Sequence, residues 1–179
     1  MIYSDYCKYK RYGGNFFTIL FFTQGFWAII QYRTAHFIFK NIRIQGIRQV
    51  LLGVCLIWQK GIEITTGISI PASVKIGHSF YIGHFGGIIL NSKTIIGNNC
   101  NISQGVTIGV SSIGEKRGVP RIGNNVYIGA NAVVVGKIVI EDDVLIGACS
   151  LVTSDVVQKS VMVGVPAVRV SNNGSEYYI

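Results

Sequence analysis

Proline is scarce in this chain, with 3 residues against 22 glycines in a total of 179. A glycine excess without proline excludes a collagen-like or proline-rich chain and points to many tight corners whose backbone other residues resist. Charged residues are also few, at 13%, while hydrophobic residues make up 49%; that balance excludes disorder and leaves a large core to bury. Cys7, Cys55, Cys100 and Cys149 are far apart with no C-x-x-C pair, which indicates neither a zinc site nor a disulfide framework. A reducing, cytoplasmic compartment is therefore expected. No GxGxxG or GxxxxGK[ST] stretch occurs, so nucleotide hydrolysis has no support. Long apolar runs are missing as well. Residues 16–30 are apolar apart from Thr18, Thr23 and Gln24, and fall short of the roughly 20 residues that a bilayer span requires. Basic residues precede that run, but no small-residue cleavage site follows it, which argues against secretion.

What is present is a repeat. Ile64, Ile70, Ile76, Ile82 and Ile88 recur every six residues; after a two-residue slip the series resumes at Ile96, Ile102 and Ile108. A longer interruption follows, then Ile122, Ile128, Val134, Ile140, Ile146 and Val152. Neither the 3.6-residue period of a helix nor the two-residue period of a strand generates this series. Six-residue phase with a β-branched anchor is the signature of a parallel β-helix, in which three hexads close one triangular coil and each anchor stacks on that of the next. The predicted fold is mainly β, a left-handed parallel β-helix with a short N-terminal α-helical segment. A boundary near residue 60 gives three parts: a helical segment at 1–60, the β-helix at 61–170 and a tail at 171–179.

The most specific stretches are Ile82-Gly83-His84-Phe85-Gly86-Gly87, Gln104-Gly105-Val106-Thr107-Ile108-Gly109 and Val163-Gly164-Val165-Pro166-Ala167. With them, residues 60–170 resemble the hexapeptide-repeat acyltransferases of the serine acetyltransferase branch. The opening Tyr3-Ser4-Asp5-Tyr6, with Lys8, Tyr9 and Tyr12-Gly13-Gly14, is similar to that of the capsule and O-antigen polysaccharide O-acetyltransferases. The resemblance implies acetyl-CoA as donor, no metal, and a homotrimer with active sites between subunits. It also implies a catalytic histidine at His84, with His78, one hexad earlier, as competitor. Imidazole titrates near neutrality and can take the acceptor hydroxyl's proton as its oxygen attacks the thioester.

Carried over by position, Gly109, Ala130 and Ala148 are the small residues against which the CoA arm would lie. By charge alone, Lys159 and Arg169 are the candidate partners for its 3′-phosphate, with ordinary surface charge as the alternative. Ser69, Asn91, Lys116 and Arg117 are the candidate acceptor-binding residues, the last two, with Arg121, within the interruption at 110–121. The serine branch carries an Asp where this chain has Ser69, another where it has Gly83, and an Arg-His pair where it has Gly118-Val119. A buried ammonium or carboxylate must be paired, so the missing charges predict a neutral acceptor. The expected function is acetyl transfer to a hydroxyl of a bacterial surface polysaccharide; serine or another small acceptor is the alternative. A metal-dependent hydratase would need three histidine ligands, and only His78 and His84 lie in the repeat. A non-catalytic scaffold is the remaining alternative.

Residues 1–60 hold eight Lys/Arg and a single acid, Asp5, whereas 61–179 hold eight Lys/Arg and seven acids. Ile47, Val50, Leu51, Val54 and Trp58 fall on one helical face. Two or three helices are expected to pack on the β-helix and cover its open edge. The basic, aromatic composition suits contacts between subunits first and, as the alternative, peripheral contact of residues 1–60 with the anionic inner face of the membrane; no nucleic acid partner is expected.

Overall fold

The computed structural model describes residues 1–111 and 117–179. Four helices come first: α1 (Ile2–Arg11), α2 (Phe16–Phe22), α3 (Gln24–Asn41) and α4 (Gln45–Thr66). Short strands then wind into a left-handed β-helix with three faces. The first face stacks β1 (Ile68–Ser69), β4 (Ile88–Leu90), β7 (Thr107–Gly109), β10 (Val133–Val135) and β13 (Leu151–Val152). The second stacks β2 (Lys75–Ile76), β5 (Ile95–Ile96), β8 (Arg121–Ile122) and β11 (Val139–Ile140). The third stacks β3 (Tyr81–Ile82), β6 (Asn101–Ile102), β9 (Tyr127–Ile128), β12 (Leu145–Ile146) and β14 (Val161–Gly164). All of these pairings are parallel; β15 (Ala167–Ser171) turns back antiparallel on β14 and closes the far end.

The register explains the six-residue count. Ile76 stacks on Ile96, Ile122 and Ile140, and Ile82 on Ile102, Ile128, Ile146 and Met162. These side chains are almost wholly buried, each contributing on the order of 1.5–3 kcal/mol. No coil can bury its own anchors, so the coils stabilise one another. Ile64 is an exception to the series. It belongs to α4 and is 84% exposed, because that helix runs on to Thr66 and stops only at Gly67, whose φ of 68° gives the left-handed helix end that glycine accommodates.

The helices cover the open edge of the first coil with side chains. The Tyr32 hydroxyl donates to the Val74 carbonyl (2.8 Å) and accepts from the Ile76 N–H (3.1 Å). Tyr9 does the same at Ile82, donating to its carbonyl at 3.0 Å and accepting from its N–H at 3.1 Å. Arg33 donates to the carbonyls of Ile76 and Gly77 and forms a buried ion pair with Asp5, which in turn accepts from the Phe80 N–H. Strand edges left bare would be templates for aggregation; here their polar groups are bonded one by one. Gly25 lets α3 come this close, since a Cβ there would lie 2.5 Å from the Ile82 carbonyl oxygen.

The apolar face predicted at Ile47, Val50, Leu51, Val54 and Trp58 is helical, but it points away from the β-helix: all five residues are exposed. The buried residues of α4, Cys55, Ile62 and Thr66, lie on the neighbouring side, about a quarter-turn round the helix.

Candidate active site

Three corner edges run along the prism. The edge between the second and third faces carries Ser79, Asn99, Asn125, Asp143 and Lys159, all with positive φ. Here side chains bond along the edge: Lys8 Nζ donates to Asn99 Oδ1 (2.7 Å), Asn99 Nδ2 to Asn125 Oδ1 (2.9 Å) and Asn125 Nδ2 to Asp143 Oδ1 (2.9 Å). Gln158 and Asn125, by donating to it, hold the Asp143 carboxyl below its usual range. The C-terminal tail lies on the same edge, where the Ser175 hydroxyl donates to the Asn125 carbonyl. We refer to it as the asparagine edge.

The edge between the third and first faces differs. His84 is the second residue after the anchor Ile82; Gln104, Ala130 and Ala148 are the second residues after Ile102, Ile128 and Ile146, so they line up coil by coil. His84 and Phe85 are exposed. After them Gly86 (φ 108°) and Gly87 (φ 65°) turn the chain into β4 without adding side chains, and the Gly86 carbonyl accepts from the Gly105 N–H at 2.7 Å. Among the described residues, no side chain bonds the His84 ring. The result is an open imidazole at the head of a track of small residues. Gln104, which opens one of the family-like stretches, was given no site role in the sequence, although the six-residue count carries it to the position under His84.

The predicted CoA residues divide between locations. Ala130 and Ala148 are on the histidine edge. Gly109 is at the far side of the first face, opposite Val135. Lys159 lies on the asparagine edge, and Arg169, in β15, is exposed and bonds Asn172. Neither cation stands on the histidine track: the repeat sends Lys159 to another corner, and Arg169 belongs to the returning strand beyond the repeat. His78, the competing base, is likewise on the asparagine edge, next to Ser79.

The acceptor residues are gathered elsewhere. Ser69 donates to Glu63 Oε1 at 2.7 Å, on the side of the first face away from His84. Burial pushes the Glu63 carboxyl up, but hydrogen bonds from Lys60, Ser69 and Gln59 outweigh it and hold the group below its ordinary value. Asn91 turns its side chain inward on the chain, accepting from the Lys93 N–H at 3.0 Å to fasten the corner. Arg117 is exposed at the foot of the interruption, where Ser111 and Gly118 bond each other's backbone. Lys116 lies outside the described residues. Within one chain, then, His84 and the described acceptor candidates Ser69 and Asn91 occupy opposite margins of the first face.

An imidazole on a hexapeptide-repeat prism, heading a track of small residues, defines an acyltransferase of the bacterial hexapeptide class. The family described as bacterial transferase hexapeptide (six repeats) matches residues 120–154. The serine acetyltransferase of Helicobacter pylori strain J99 is 33% identical over 159 residues, 89% of this chain and 88% of the relative. That of Synechococcus elongatus is 31% identical over 160 residues, and there the chain spans 62% of the relative's length. A solved serine acetyltransferase in complex with CoA shares 28% identity, with a TM-score of 0.79 over 94% of this chain and 68% of that one. The chain belongs to the serine acetyltransferase family. The polysaccharide acceptor expected from the missing charges is overturned by these relatives. The expectation assumed that charge absent from an aligned position is absent from the site. In the fold a carboxylate does stand beside Ser69, presented by Glu63 from α4, and Arg117 flanks Gly118, so an aligned position can lose its charge while a neighbour carries one.

Proposed function

We propose that the protein transfers an acetyl group from acetyl-CoA to the hydroxyl of serine, with His84 as general base. The observation that carries this reading is the open His84 imidazole at the head of the Gln104–Ala130–Ala148 track. In the reaction, a ring nitrogen of His84 takes the serine hydroxyl proton while the oxygen attacks the thioester carbonyl. The tetrahedral intermediate collapses with loss of the CoA thiolate, which takes the proton from the imidazolium, leaving O-acetylserine and free thiol. The donor's arm lies along the histidine edge, where Ala130 and Ala148 leave room for it.

A trimer completes the site. His84 and the acceptor candidates sit at opposite margins of the first face, and a neighbouring copy brings one margin to the other. Arg117 then suits the serine carboxylate, and Glu63 is the nearby anion for its ammonium. Since acetyl-CoA is the donor, the cytoplasm is the compartment proposed.

The test is thiol release from acetyl-CoA with and without L-serine, for wild type and His84→Ala. Serine-dependent release that falls about 10²-fold or more in the variant is expected. Release that ignores serine overturns the acceptor, and full activity in His84→Ala overturns the base.

A further inference from the structure

The outward face of α4 has no function in the acetyl transfer. Ile47, Val50, Leu51, Val54, Ile57 and Trp58 follow one another at alternating helical spacings and are all exposed, Ile57 to 75%. The helix is 22 residues long, about 33 Å at the helical rise, and its outward face carries no charged residue between Arg43, ahead of its first turn, and Lys60 at its margin. An apolar surface of this extent is more than a soluble monomer ordinarily leaves bare. Two occupants are physically reasonable, a second copy of the chain or a lipid surface.

Charge decides between them. The only acid in residues 1–62 is Asp5, which is buried against Arg33. Lys10, Arg11, Lys40, Arg43 and Lys60 are all exposed, and Glu63, the next acid along the chain, is already bonded to Lys60. Two such faces brought together would place cations near cations with no exposed carboxylate in the segment to pair them. An anionic leaflet meets both needs, taking the apolar side chains at the acyl boundary and the cations at the phosphates. The end of α3 continues the surface: Arg48 of α4 lies over the Phe39 ring, and Phe37 and Phe39 wall a groove of about 970 Å³ whose cations include Lys40 and Lys75. Among the described residues no helix is long and apolar enough to cross a membrane, so the helix would lie in the surface rather than span it.

We propose that α4 docks the protein on anionic lipid, its apolar face at the acyl boundary and Arg43 and Lys60 against the headgroups. The full chain would be floated with vesicles of phosphatidylcholine alone and of equimolar phosphatidylcholine and phosphatidylglycerol, with sedimentation of the lipid-free protein alongside. Recovery with the anionic vesicles only, weakened by salt, is expected. Val54→Glu with Ile57→Glu should lower it roughly tenfold or more, and Lys40→Glu with Arg43→Glu similarly. All of these positions are exposed, so far-UV circular dichroism and unchanged thiol release certify that the variants are folded. Failure to float with anionic vesicles overturns the proposal, as does equal recovery with neutral ones. So does an assembly that the Val54→Glu/Ile57→Glu pair breaks apart while flotation is unaffected, since the occupant is then a second copy. Serine-dependent activity is scored separately, so loss of flotation leaves the catalytic reading standing.

Discussion

The asparagine and histidine edges are built by the same repeat, one corner apart, and end in opposite conditions. On the asparagine edge each corner side chain reaches for the next, from Lys8 through Asn99 and Asn125 to Asp143, and the C-terminal tail lies over the result. On the histidine edge the residues below His84 are Gln104, Ala130 and Ala148, the corners are held by backbone bonds such as Gly105 N–H to Gly86 carbonyl, and His84 is left exposed. Polar groups that satisfy one another make an edge into structure, whereas small residues beside one titratable ring leave an edge for a ligand. A fold of identical coils thus separates stability from chemistry by the choice of corner.

That separation can be broken from either side. The largest effect is expected at the start of the asparagine edge: Asp5→Ala leaves the Arg33 guanidinium buried without its partner and should cost about 3–5 kcal/mol in urea unfolding. Asn125→Ala removes the middle of the ladder and places alanine at a φ of 54°, for a loss of about 1–3 kcal/mol by the same measurement with kcat unchanged. On the other edge, Ala148→Leu fills an exposed position of the track. It should raise the KM for acetyl-CoA roughly tenfold, or about 1.4 kcal/mol, with no change in melting temperature. A melting change there, or a kcat change at Asn125, would blur the distinction between the edges.

The smallest effect is a pH dependence. Burial pushes the Lys8 ammonium down to about 8 from 10.5. Below about pH 8 both folded and unfolded chains carry the proton, and the cost of burying the charge is fully present. Between about 8 and 10.5 the unfolded chain binds more protons than the folded one, so this group's contribution to stability rises with pH. Melting followed from pH 8 to pH 10 should move in favour of wild type relative to Lys8→Met; a constant gap would remove Lys8 from the account.

The sequence displayed the β-helix openly because the inward anchors are nearly all Ile or Val, with Leu90 and Met162 as exceptions, and a defect in one coil is felt by two neighbours. Ile64 shows where that logic ends: six residues along a helix and six along a coil look alike in the sequence, and only Gly67 marks the change. The edge-covering bonds of Tyr9, Tyr32 and Arg33 were not legible, since their partners are strand backbone groups 42 to 73 residues away. Of the candidate site, the resemblance carried Ala130 and Ala148, and the six-residue phase puts both on the corner of His84. The charge of Glu63 beside Ser69 was not legible, because it enters from a different element at a position that no linear pattern marks. The apolar periodicity of α4 was legible as a helix, but not the side that it turns to the core.

The stacked corners have one more consequence, and it concerns length. Each coil advances the prism by roughly 4.8 Å, so the four steps from His84 through Gln104, Ala130 and Ala148 to Gly164 measure about 19 Å. The distance from the reactive ring to the end of the track is therefore set by a whole number of coils. Insertion of one coil between Gln104 and Ala130 would lengthen it by a fixed increment while every anchor still found a partner. The prism is a ruler graduated in strands, and its count of coils is a specification of ligand length written in hexads.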